Sequence, residues 1–559
     1  SLRFDDGSSP SLSKTPNASN RKTHTLSMWI KRCELGANNS LFRANGSGDT
    51  GHIDIWFDAN DKLEVAGAST YFRITNRRFR DVSSWYNIVF AFDTTDGTAD
   101  NRLKIYVNGV QETSFATNNA IGEDADTGIN ANIAHSIGTG YAHFDGYMAE
   151  INFIDGTQLT PSSFGETKNG VWIPKKYTGS YGTNGFRLQF AQVGVGTAST
   201  STIGADTSGN TNHYTSSGIV ASDCAMPDSP ENNFCTLNPL DASLTSTTIS
   251  EGNLQTNQNA DSDKAILKAT FGVSSGKWYW EGRVIYEDDS NINIGVVTDA
   301  ATINSVVTAD YTYLKQMENL MSVGDIFQIA LNMDDGAWYI GLNNTWYNSA
   351  TASEIAAGNT TNAEDTGLSG TFLPAFYENA GGSGTGYTAN FGQDDTFAGA
   401  ISSAGNTDSN GKGVFKYAPP SGFLALCTSN LPEPTISPNS DTQADDHFNT
   451  VVYSGESVDG STKAVTVGFK PDFIWGKTRN RTQDHMLANS TVGFDVYLRS
   501  NGDAAEALLD SLVNDDVTGT GFLFDDDEDG YFNFAPDSGD PNQMVVWNWK
   551  ANGGTTSSN

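Results

Sequence analysis

Three alternating aspartates near the C-terminus could coordinate a metal ion. The stretch FLFDDDEDGYF, residues 522–532, contains D-x-D-x-D-G, the first half of an EF-hand calcium loop. Such a loop also needs a Glu at its twelfth position and helices on both sides, whereas here that position is Pro536 and the flanks GFLF and YFNF are typical of strands. We therefore interpret Asp525, Asp527 and Asp529 as a β-hairpin turn that binds Ca²⁺ at most weakly, and we expect no required cofactor.

Motifs for catalysis are missing from the sequence. None of the seven histidines lies in H-E-x-x-H spacing, and no G-x-S-x-G occurs. The glycine-rich GSGTG, residues 382–386, does not open a helix after a strand, so it does not predict a phosphate site. The cysteines include no C-x-x-C, and Cys224 with Cys235 is compatible with either a disulfide or two buried thiols. We expect a protein without enzymatic activity.

Composition and charge favour an acidic, all-β protein. The chain has 559 residues, with 37% apolar residues for cores and 57 glycines for tight turns. Its net charge of −34 argues against binding to nucleic acid or to an anionic membrane. Apolar runs are far shorter than the about 20 residues of a membrane helix, and SLRFDDGSSP does not resemble a signal peptide. We expect synthesis in the cytoplasm without a leader and no membrane insertion.

Residues 1–172 alternate between apolar and polar with a period of two. THTLSMWIKR places Leu26, Met28 and Ile30 on one face of a strand, and NRLKIYVNGVQ contains an Asn108-Gly109 hairpin turn. The order WYNIVFAFD, LKIYVNGV and FDGYMAEINFIDGTQLTPSSF resembles laminin-G-like, concanavalin-A-like lectin sandwiches. This resemblance implies two packed sheets and ligand-binding loops at one edge.

The same resemblance raises two questions about chemistry. Lectin-like sandwiches can hold calcium at a loop such as DTTDGTADN, with Asp93, Asp96 and Asp100, although a solvated acidic hairpin is the alternative. One family of glucanases with this fold uses E-x-D-x-E on a strand. The comparable strand here has Glu150, Asn152 and Ile154, so only the first carboxylate remains and glucanase activity of that type is not expected.

Residues 173–250 are rich in Gly, Asn, Ser and Thr, with turn signals between short strands. Several large apolar residues in this segment require burial, which predicts an ordered connector rather than a loose linker. They are Phe186, Leu188, Phe190, Phe234 and Leu237.

Residues 251–430 predict a second β-sandwich. SGKWYWEGRVIYEDD places Trp278 and Trp280 on one face, and a meander follows with turns at 334–336 and 343–344. GKWYWE, IGVV, the meander and NFGQ together resemble a SPRY domain, a binding module. The resemblance implies binding at loops of one edge, although Trp346 could instead pack in the core. The candidate ligand residues are Asn343, Asn344, Trp346, Tyr347, Tyr377, Glu378 and Asn379.

A Pro-rich hinge at 431–444 precedes the last part of the chain. Residues 445–559 predict a β-rich domain from KAVTVGFKPDFIWGK, GFLFDDDEDGYFNF and QMVVWNWKANGG. The stretch DAAEALLDSLV, residues 503–513, predicts one short helix.

The order of these pieces resembles tail-fibre or virion-surface proteins of marine tailed bacteriophages, particularly cyanophages. It implies a structural and binding subunit on the virion surface that contacts other virion proteins, associates with itself (as a trimer, by analogy) and recognises host-surface glycans or a protein receptor. The alternatives are a capsid or tail scaffold or decoration protein that contacts only virion proteins, and a polysaccharide depolymerase with paired carboxylates. A bacterial adhesin would need a secretion signal.

Overall fold

The structure is a computed structural model that describes residues 1–48, 51–168, 170–241, 247–259, 265–287, 292–301, 313–317, 320–378, 384–432, 444–455, 462–508, 517–524 and 543–551. Four residues of the predicted sites, Asn379, Asp525, Asp527 and Asp529, lie outside these ranges. The chain forms two compact units, Ser1–Pro432 and Glu433–Asn559. In the described part of the chain, no helix has the length and apolar character of a membrane crossing.

The N-terminal half of the first unit is a sandwich of two antiparallel sheets. One sheet has the order β1-β13-β3-β8-β9-β10 with β16 beside β13, and the other has the order β11-β7-β6-β5-β4-β12-β2-β17. In chain order the strands are β1 Leu2–Phe4, β2 Ser11–Lys14, β3 Thr23–Arg32, β4 Asn39–Ala44, β5 Ile53–Phe57, β6 Lys62–Ala66, β7 Tyr71–Arg78, β8 Tyr86–Asp93, β9 Leu103–Val107, β10 Val110–Gln111, β11 Phe115–Asn118, β12 His135–Ile137, β13 Gly146–Asp155, β14 Gly165–Lys168, β15 Val171–Pro174, β16 Phe186–Leu188 and β17 Thr215–Ser217.

The sequence pattern explains this sandwich. Leu26, Met28 and Ile30 of β3 lie in the core between the sheets, as the period of two predicts. Asn108 and Gly109 join β9 to β10 with φ values of 47° and 82°, the positive values that a two-residue type I′ hairpin turn requires.

The connector is part of the sandwich. β16 pairs with β13 and β17 pairs with β2, so residues after 172 add a strand to each sheet. All five large apolar residues predicted to be buried in this segment are buried. The four cysteines are free and buried, so Cys224 and Cys235 are thiols.

The second half of the first unit contains another two-sheet sandwich. The larger sheet has the order β18-β19-β29-β21-β24-β25-β26, with β27 beside β25 and β32 beside β21, and the smaller has the order β20-β28-β22-β23. Its strands are β18 Thr247–Ser250, β19 Gln255–Asn259, β20 Ala265–Lys268, β21 Lys277–Glu287, β22 Ile292–Thr298, β23 Leu314–Gln316, β24 Ile326–Asn332, β25 Ala337–Leu342, β26 Thr345–Trp346, β27 Asp365–Thr366, β28 Phe372–Glu378, β29 Gly384–Asn390, β30 Asn406–Thr407, β31 Val414–Phe415 and β32 Leu424–Ala425.

Aromatic side chains fill this second core. Trp278 and Trp280 both lie in it, as their spacing on β21 predicts, whereas Tyr279 between them packs on the opposite face of the sheet. One α-helix is found in the described residues, α1 Ala352–Ala356, and Thr351 caps it by accepting from the Glu354 amide at 3.2 Å. Short 3-10 turns occur at Asp6–Ser8, Ala99–Arg102, Pro161–Ser163, Ala221–Asp223, Pro239–Asp241, Tyr347–Ser349, Thr360–Asn362, Thr428–Asn430 and Ala444–Asp446.

The second unit is also built from β-strands. Its sheets have the orders β33-β41-β35-β36-β37-β38 and β34-β40-β39. The strands are β33 Phe448–Ser454, β34 Lys463–Thr466, β35 Phe473–Thr478, β36 Met486–Asn489, β37 Gly493–Arg499, β38 Ala507–Leu508, β39 Val517–Thr518, β40 Gly521–Phe524 and β41 Gln543–Trp549.

The helix predicted over 503–513 is wrong in its described part. Ala507 and Leu508 form an antiparallel pair with Tyr497 and Val496 on the neighbouring strand, and residues 503–506 form no helix. The remaining residues of that prediction lie outside the described ranges. Pairing with an existing strand edge outweighs the helix propensity of Ala, Glu and Leu. The all-β fold class with tandem sandwiches is confirmed.

Candidate ligand-binding groove

The outer face of the second sheet of the first sandwich carries a groove. Along β5, Ile53, Ile55 and Phe57 point into the core, so the alternate residues Asp54 and Trp56 lie on the opposite face. The adjacent β4 and, beyond β6, the strand β7 add further side chains to this face, and a loop before β13 closes one side. The groove is lined by Arg43, His52, Asp54, Trp56, Ala66, Gly67, Ala68, Ser69, Tyr71 and Tyr141.

Three aromatic rings form one wall of the groove. Trp56 stacks against Tyr141 with ring centroids 6.1 Å apart and planes 14° apart, and the ring of Tyr71, on β7, lies 6.0 Å from that of Trp56. Trp56 is buried, whereas Tyr71 and Tyr141 are 47% and 71% exposed. Such large exposed rings present flat apolar surface next to polar tips, which suits a ligand with both kinds of surface.

A charged network forms the floor beside these rings. The Asp54 carboxylate lies 2.8 Å from Nε2 of His52 through Oδ2 and 3.3 Å from Nε of Arg43 through Oδ1. Arg43 also donates from Nη1 to the carbonyl of Gly140 at 2.9 Å. The guanidinium of Arg43, the carboxylate of Asp54 and the imidazole of His52 are held by these contacts, so they offer hydrogen-bond donors and acceptors in fixed directions.

The loop that carries Tyr141 is anchored to the sheet. The hydroxyl of Ser40 accepts from the amides of Tyr141 and Ala142 at 2.9 and 3.1 Å. A Cβ at Gly140 would lie 3.2 Å from the Ser40 hydroxyl and 3.4 Å from Oδ1 of Asp54, so the loop packs closely against the groove floor. Tyr141 is thus exposed on a loop that is held in place, which lowers the entropic cost of binding a ligand.

The loop residues predicted in the second sandwich have structural partners. Asn343 and Asn344 form the turn between β25 and β26 with φ values of 49° and 66°. The Asn343 side chain accepts from the Ile326 amide at 3.0 Å and donates to Asp325 at 2.8 Å. Trp346 and Tyr347 are half-buried against the core. Both the oxygen and the nitrogen of the Asn343 side-chain amide are therefore committed to the turn.

The other predicted ligand residues of this sandwich lie elsewhere. Tyr377 and Glu378 belong to β28, in the smaller sheet, whereas the turn at 343–344 belongs to the larger sheet. Ligand binding at the edge of the second sandwich stays a prediction.

Each aspartate of the acidic loop in the first sandwich accepts a hydrogen bond from a nearby residue. Asp93 accepts from the Thr95 amide at 3.0 Å, Asp96 accepts from the Thr98 amide at 2.7 Å, and Asp100 accepts from Asn118 at 3.1 Å. In the described part of the chain, these three carboxylates do not come within 4.8 Å of one another as a group. Calcium binding at this loop stays a prediction.

Glu150, the one carboxylate that matches the glucanase pattern, forms an ion pair with Arg187. It lies at a β-bulge of β13 with φ of 46°, and its Oε2 accepts from Nε of Arg187 at 2.9 Å. Asn152, in the place of the second carboxylate, accepts instead from the Tyr181 hydroxyl at 2.9 Å.

Sequence reasoning missed the groove because its residues come from separate strands and a distant loop. One signal was available. The strand IDIWF alternates between apolar and polar residues, but Trp56 occupies a position on its polar face. A large ring at such a position indicates a contact with another residue or a ligand. The pairing of Trp56 with Tyr141 could not be read from their separation in the chain.

Comparisons with known proteins bear on three parts of the chain. Residues 443–559 match a family model described as a domain of unknown function, DUF7483. No curated protein is significantly similar to the chain. Similar solved structures each align with 28% of this chain. They are the SPRY domain of human HERC1 (15% identity, 97% of that chain, TM-score 0.22), a heptameric SAP-like pentraxin from Limulus polyphemus (18%, 72%, 0.22) and the TRIM65 PSpry domain (11%, 89%, 0.21).

The N-terminal sandwich gives the second family match. Residues 6–163 match the model of the concanavalin A-like lectin/glucanases superfamily, and this range contains every residue that lines the groove. Lectin-like domains of this kind suggest a role in binding carbohydrate or protein. The first sandwich is therefore a domain similar to the concanavalin A-like lectins and glucanases.

Proposed function

We propose that the first sandwich binds carbohydrate in the groove formed by Trp56, Tyr71 and Tyr141. We propose further that the chain is a non-enzymatic binding and structural subunit of a phage virion, as a tail or surface fibre that recognises host-surface glycans. The observation that carries the proposal is the stacked pair of Trp56 and Tyr141 beside the network of Arg43, Asp54 and His52.

This combination matches the chemistry of a sugar. The C–H face of a pyranose ring is apolar and packs on an aromatic ring, whereas its hydroxyls need donors and acceptors in fixed directions. The groove places both surfaces side by side, with the guanidinium of Arg43 and the carboxylate of Asp54 next to the rings. A groove for a purely apolar ligand would not need this charged network.

The groove chemistry also supports binding without hydrolysis. Glycoside hydrolysis needs two carboxyl groups about 5 to 10 Å apart on either side of the scissile bond. Among the residues that line the groove, Asp54 is the only acid, and it is paired with Arg43 and His52. Glu64 of β6 lies opposite Trp56 on the same face of the sheet, but this second acid is buried and does not line the groove.

The virion part of the proposal rests on the order of sequence motifs along the chain. A fibre that presents several copies of the groove would multiply weak contacts through their effective concentration, and a trimer is the expected assembly by analogy. Immunogold electron microscopy of phage particles with antibodies against this chain tests that assignment. Label on fibres is expected, and its absence from every particle component contradicts it.

The test of the groove is glycan binding by the full chain. A glycan array of host-surface polysaccharides identifies a ligand, and calorimetry with that ligand compares variants. Tyr141→Ala removes a ring that is 71% exposed, so it should weaken binding at least about tenfold without disturbing the fold. Tyr286→Ala removes a ring that is 42% exposed in the second sandwich and serves as the matched control. Equal losses in both variants, or no glycan bound by the wild type, would reject the groove.

A further inference from the structure

Three aspartates meet where the first strand ends. Asp5 and Asp6 follow β1, and Asp145 precedes β13, which pairs with β1 so that Phe4 lies opposite Gly146. The antiparallel register therefore places Asp5 across from Asp145. One carboxylate oxygen from each of Asp5, Asp6 and Asp145 lies within 4.8 Å of the others.

Within the described residues, the buried carboxylate of Asp145 has one oxygen that receives no hydrogen bond. The residue is 5% exposed, and its Oδ1 is buried without a hydrogen bond. A buried carboxylate oxygen without a donor is costly, because the charge has lost its water and gained nothing in exchange. One carboxylate oxygen of Asp145 lies in the cluster with those of Asp5 and Asp6, so a ligand bound in the cluster would contact this buried carboxylate directly.

Among the residues that the structure describes, no basic side chain forms an ion pair with Asp145. Arg3, on the adjoining strand β1, is itself buried and already pairs with Asp223, Glu251 and Asp394 at 2.9 to 3.1 Å. Burial, and to a smaller extent the acidic groups Asp6, Asp5, Glu34 and Glu251, raise the pKa of Asp145 well above its ordinary value. The cluster is thus a concentration of negative charge around a buried, unpartnered oxygen.

We propose that Asp5, Asp6 and Asp145 bind one Ca²⁺ ion. Calcium takes six to eight oxygen ligands at about 2.3 to 2.6 Å, so two of its ligands are at most about 5 Å apart, which the 4.8 Å limit satisfies. Asp6 is exposed and Asp5 is half-buried, which leaves an open side for entry and for water ligands. Mg²⁺ prefers one or two carboxylates in a stricter octahedron and fits three converging carboxylates less well.

The ion would join three parts of the first unit. Asp5 and Asp6 hold the end of β1, Asp145 holds the start of β13, and Asp5 accepts from the backbone amide of Glu251 at 3.5 Å. Residue 251 lies in the turn between β18 and β19 of the second sandwich. Calcium at this position would therefore stabilise the junction between the sandwiches, independently of any glycan in the groove.

The experiment is calcium titration of the full chain after treatment with EDTA and dialysis. Calorimetry should show a Ca²⁺ site that Asp145→Asn weakens at least tenfold and that the exposed Asp6→Asn also weakens. Ca²⁺ should raise the unfolding temperature of the wild type, and this increase should be absent in Asp145→Asn. Asp100→Asn, an exposed aspartate of a different loop, is the control and should bind as the wild type does.

The unfolding temperature in EDTA distinguishes a calcium-binding role of Asp145 from a purely structural role. In EDTA, Asp145→Asn should unfold at or above the wild-type temperature, because it replaces a buried carboxyl group that has an oxygen without a hydrogen bond. A purely structural aspartate would instead destabilise the protein when replaced. Calcium binding that is unchanged in both Asp6→Asn and Asp145→Asn, or a wild type that binds no Ca²⁺, overturns the proposal.

Discussion

Lys31 and Asp228 form an ion pair at 2.8 Å, from Nζ to Oδ2, in which neither side chain is exposed to solvent. Lys31 lies on β3, on the face turned away from the sandwich core, and Asp228 lies in the connector. Nζ also donates to Asn233 at 2.7 Å and to the Phe234 carbonyl at 2.9 Å, while Asp228 accepts from the Trp85 indole at 3.0 Å. The connector thus covers the outer face of the first sheet and is held there by buried charge.

Removing one member of this pair should destabilise the protein strongly. Lys31→Met leaves the Asp228 carboxylate buried without a countercharge, at a cost of about 3–5 kcal/mol in the free energy of unfolding. The double variant Lys31→Met with Asp228→Asn should lose less, since Asn can still accept from Trp85. Lys22→Met breaks the exposed pair with Asp124 and should cost less than about 1 kcal/mol. Urea unfolding followed by tryptophan fluorescence measures all three, and similar losses for Lys31→Met and Lys22→Met would contradict the prediction.

The groove network gives a prediction for affinity. Asp54→Asn keeps the size of the side chain but removes the charge that pairs with Arg43 and His52, so the affinity for a bound glycan should fall about tenfold, or about 1.4 kcal/mol. Asp126→Asn, at an exposed pair with Arg21 in the same sandwich, is the control. Calorimetry with the glycan found on the array provides the measurement, and an unchanged affinity in Asp54→Asn would exclude the network from the binding site.

Two buried histidines predict a loss of stability in acid. His24 stacks on Phe92 at 4.6 Å with both ring nitrogens unpartnered, and burial lowers its pKa to about 3, with a smaller effect from His135. Burial lowers the pKa of His135 to about 4, partly offset by the Ile133 carbonyl. In the unfolded chain both titrate near 6.5, so the unfolded state binds more protons below that pH.

Stability from these histidines is therefore complete above about pH 6.5 and declines as the pH falls toward 4 and then 3. Each should lower the free energy of unfolding by up to about 1.4 kcal/mol per pH unit in that range. Urea unfolding at pH 7.5, 6 and 5 measures the slope, and His24→Leu should make it shallower. A His24→Leu variant with the wild-type slope would show that His24 does not cause the effect.

Glu281 gives a prediction for the second sandwich. It is fully buried and accepts from the amides of Lys416 and Tyr417 at 2.8 and 2.7 Å and from the Tyr279 hydroxyl at 2.9 Å. Glu281→Ala leaves the buried Tyr279 hydroxyl and two partly buried amides without their acceptor and should cost about 3 kcal/mol or more. The exposed Glu166 is the control, since its replacement by Ala should cost less than about 0.5 kcal/mol. Equal unfolding midpoints for the two variants would contradict this prediction.

Much of the fold could be predicted because strand periodicity and turn chemistry are local. Leu26, Met28 and Ile30 occupy every second position of their strand, and Asn343-Asn344 marks a tight turn. Neither the strand nor the turn needed long-range information to be predicted. The failed helix at 503–513 shows the limit, since Ala507 and Leu508 are good helix formers that instead pair with β37. Local propensity cannot anticipate a strand edge that the rest of the chain provides.

The candidate sites were harder to predict for the same reason. Tyr141 reaches Trp56 across 85 residues of sequence, as their numbers show, and Asp5 meets Asp145 only because β1 pairs with β13. Alternation in β3 identified two faces but did not indicate that Ser27, Trp29 and Lys31 would also be buried, because the connector that covers them lies far along the chain. Acid-rich runs are visible in the sequence, whereas convergence of scattered acids is not.

The contacts of Arg3 set the order in which the first unit can fold. Arg3 donates to Asp394, which lies 391 residues later in the chain. At a synthesis rate of about 5–20 residues per second, the ribosome needs roughly 20–80 s to produce that partner after Arg3. During this interval the guanidinium and the strand end beside it cannot reach their final environment. Completion of the N-terminal edge is therefore expected to be late, since it must wait until Asp394 has been synthesised.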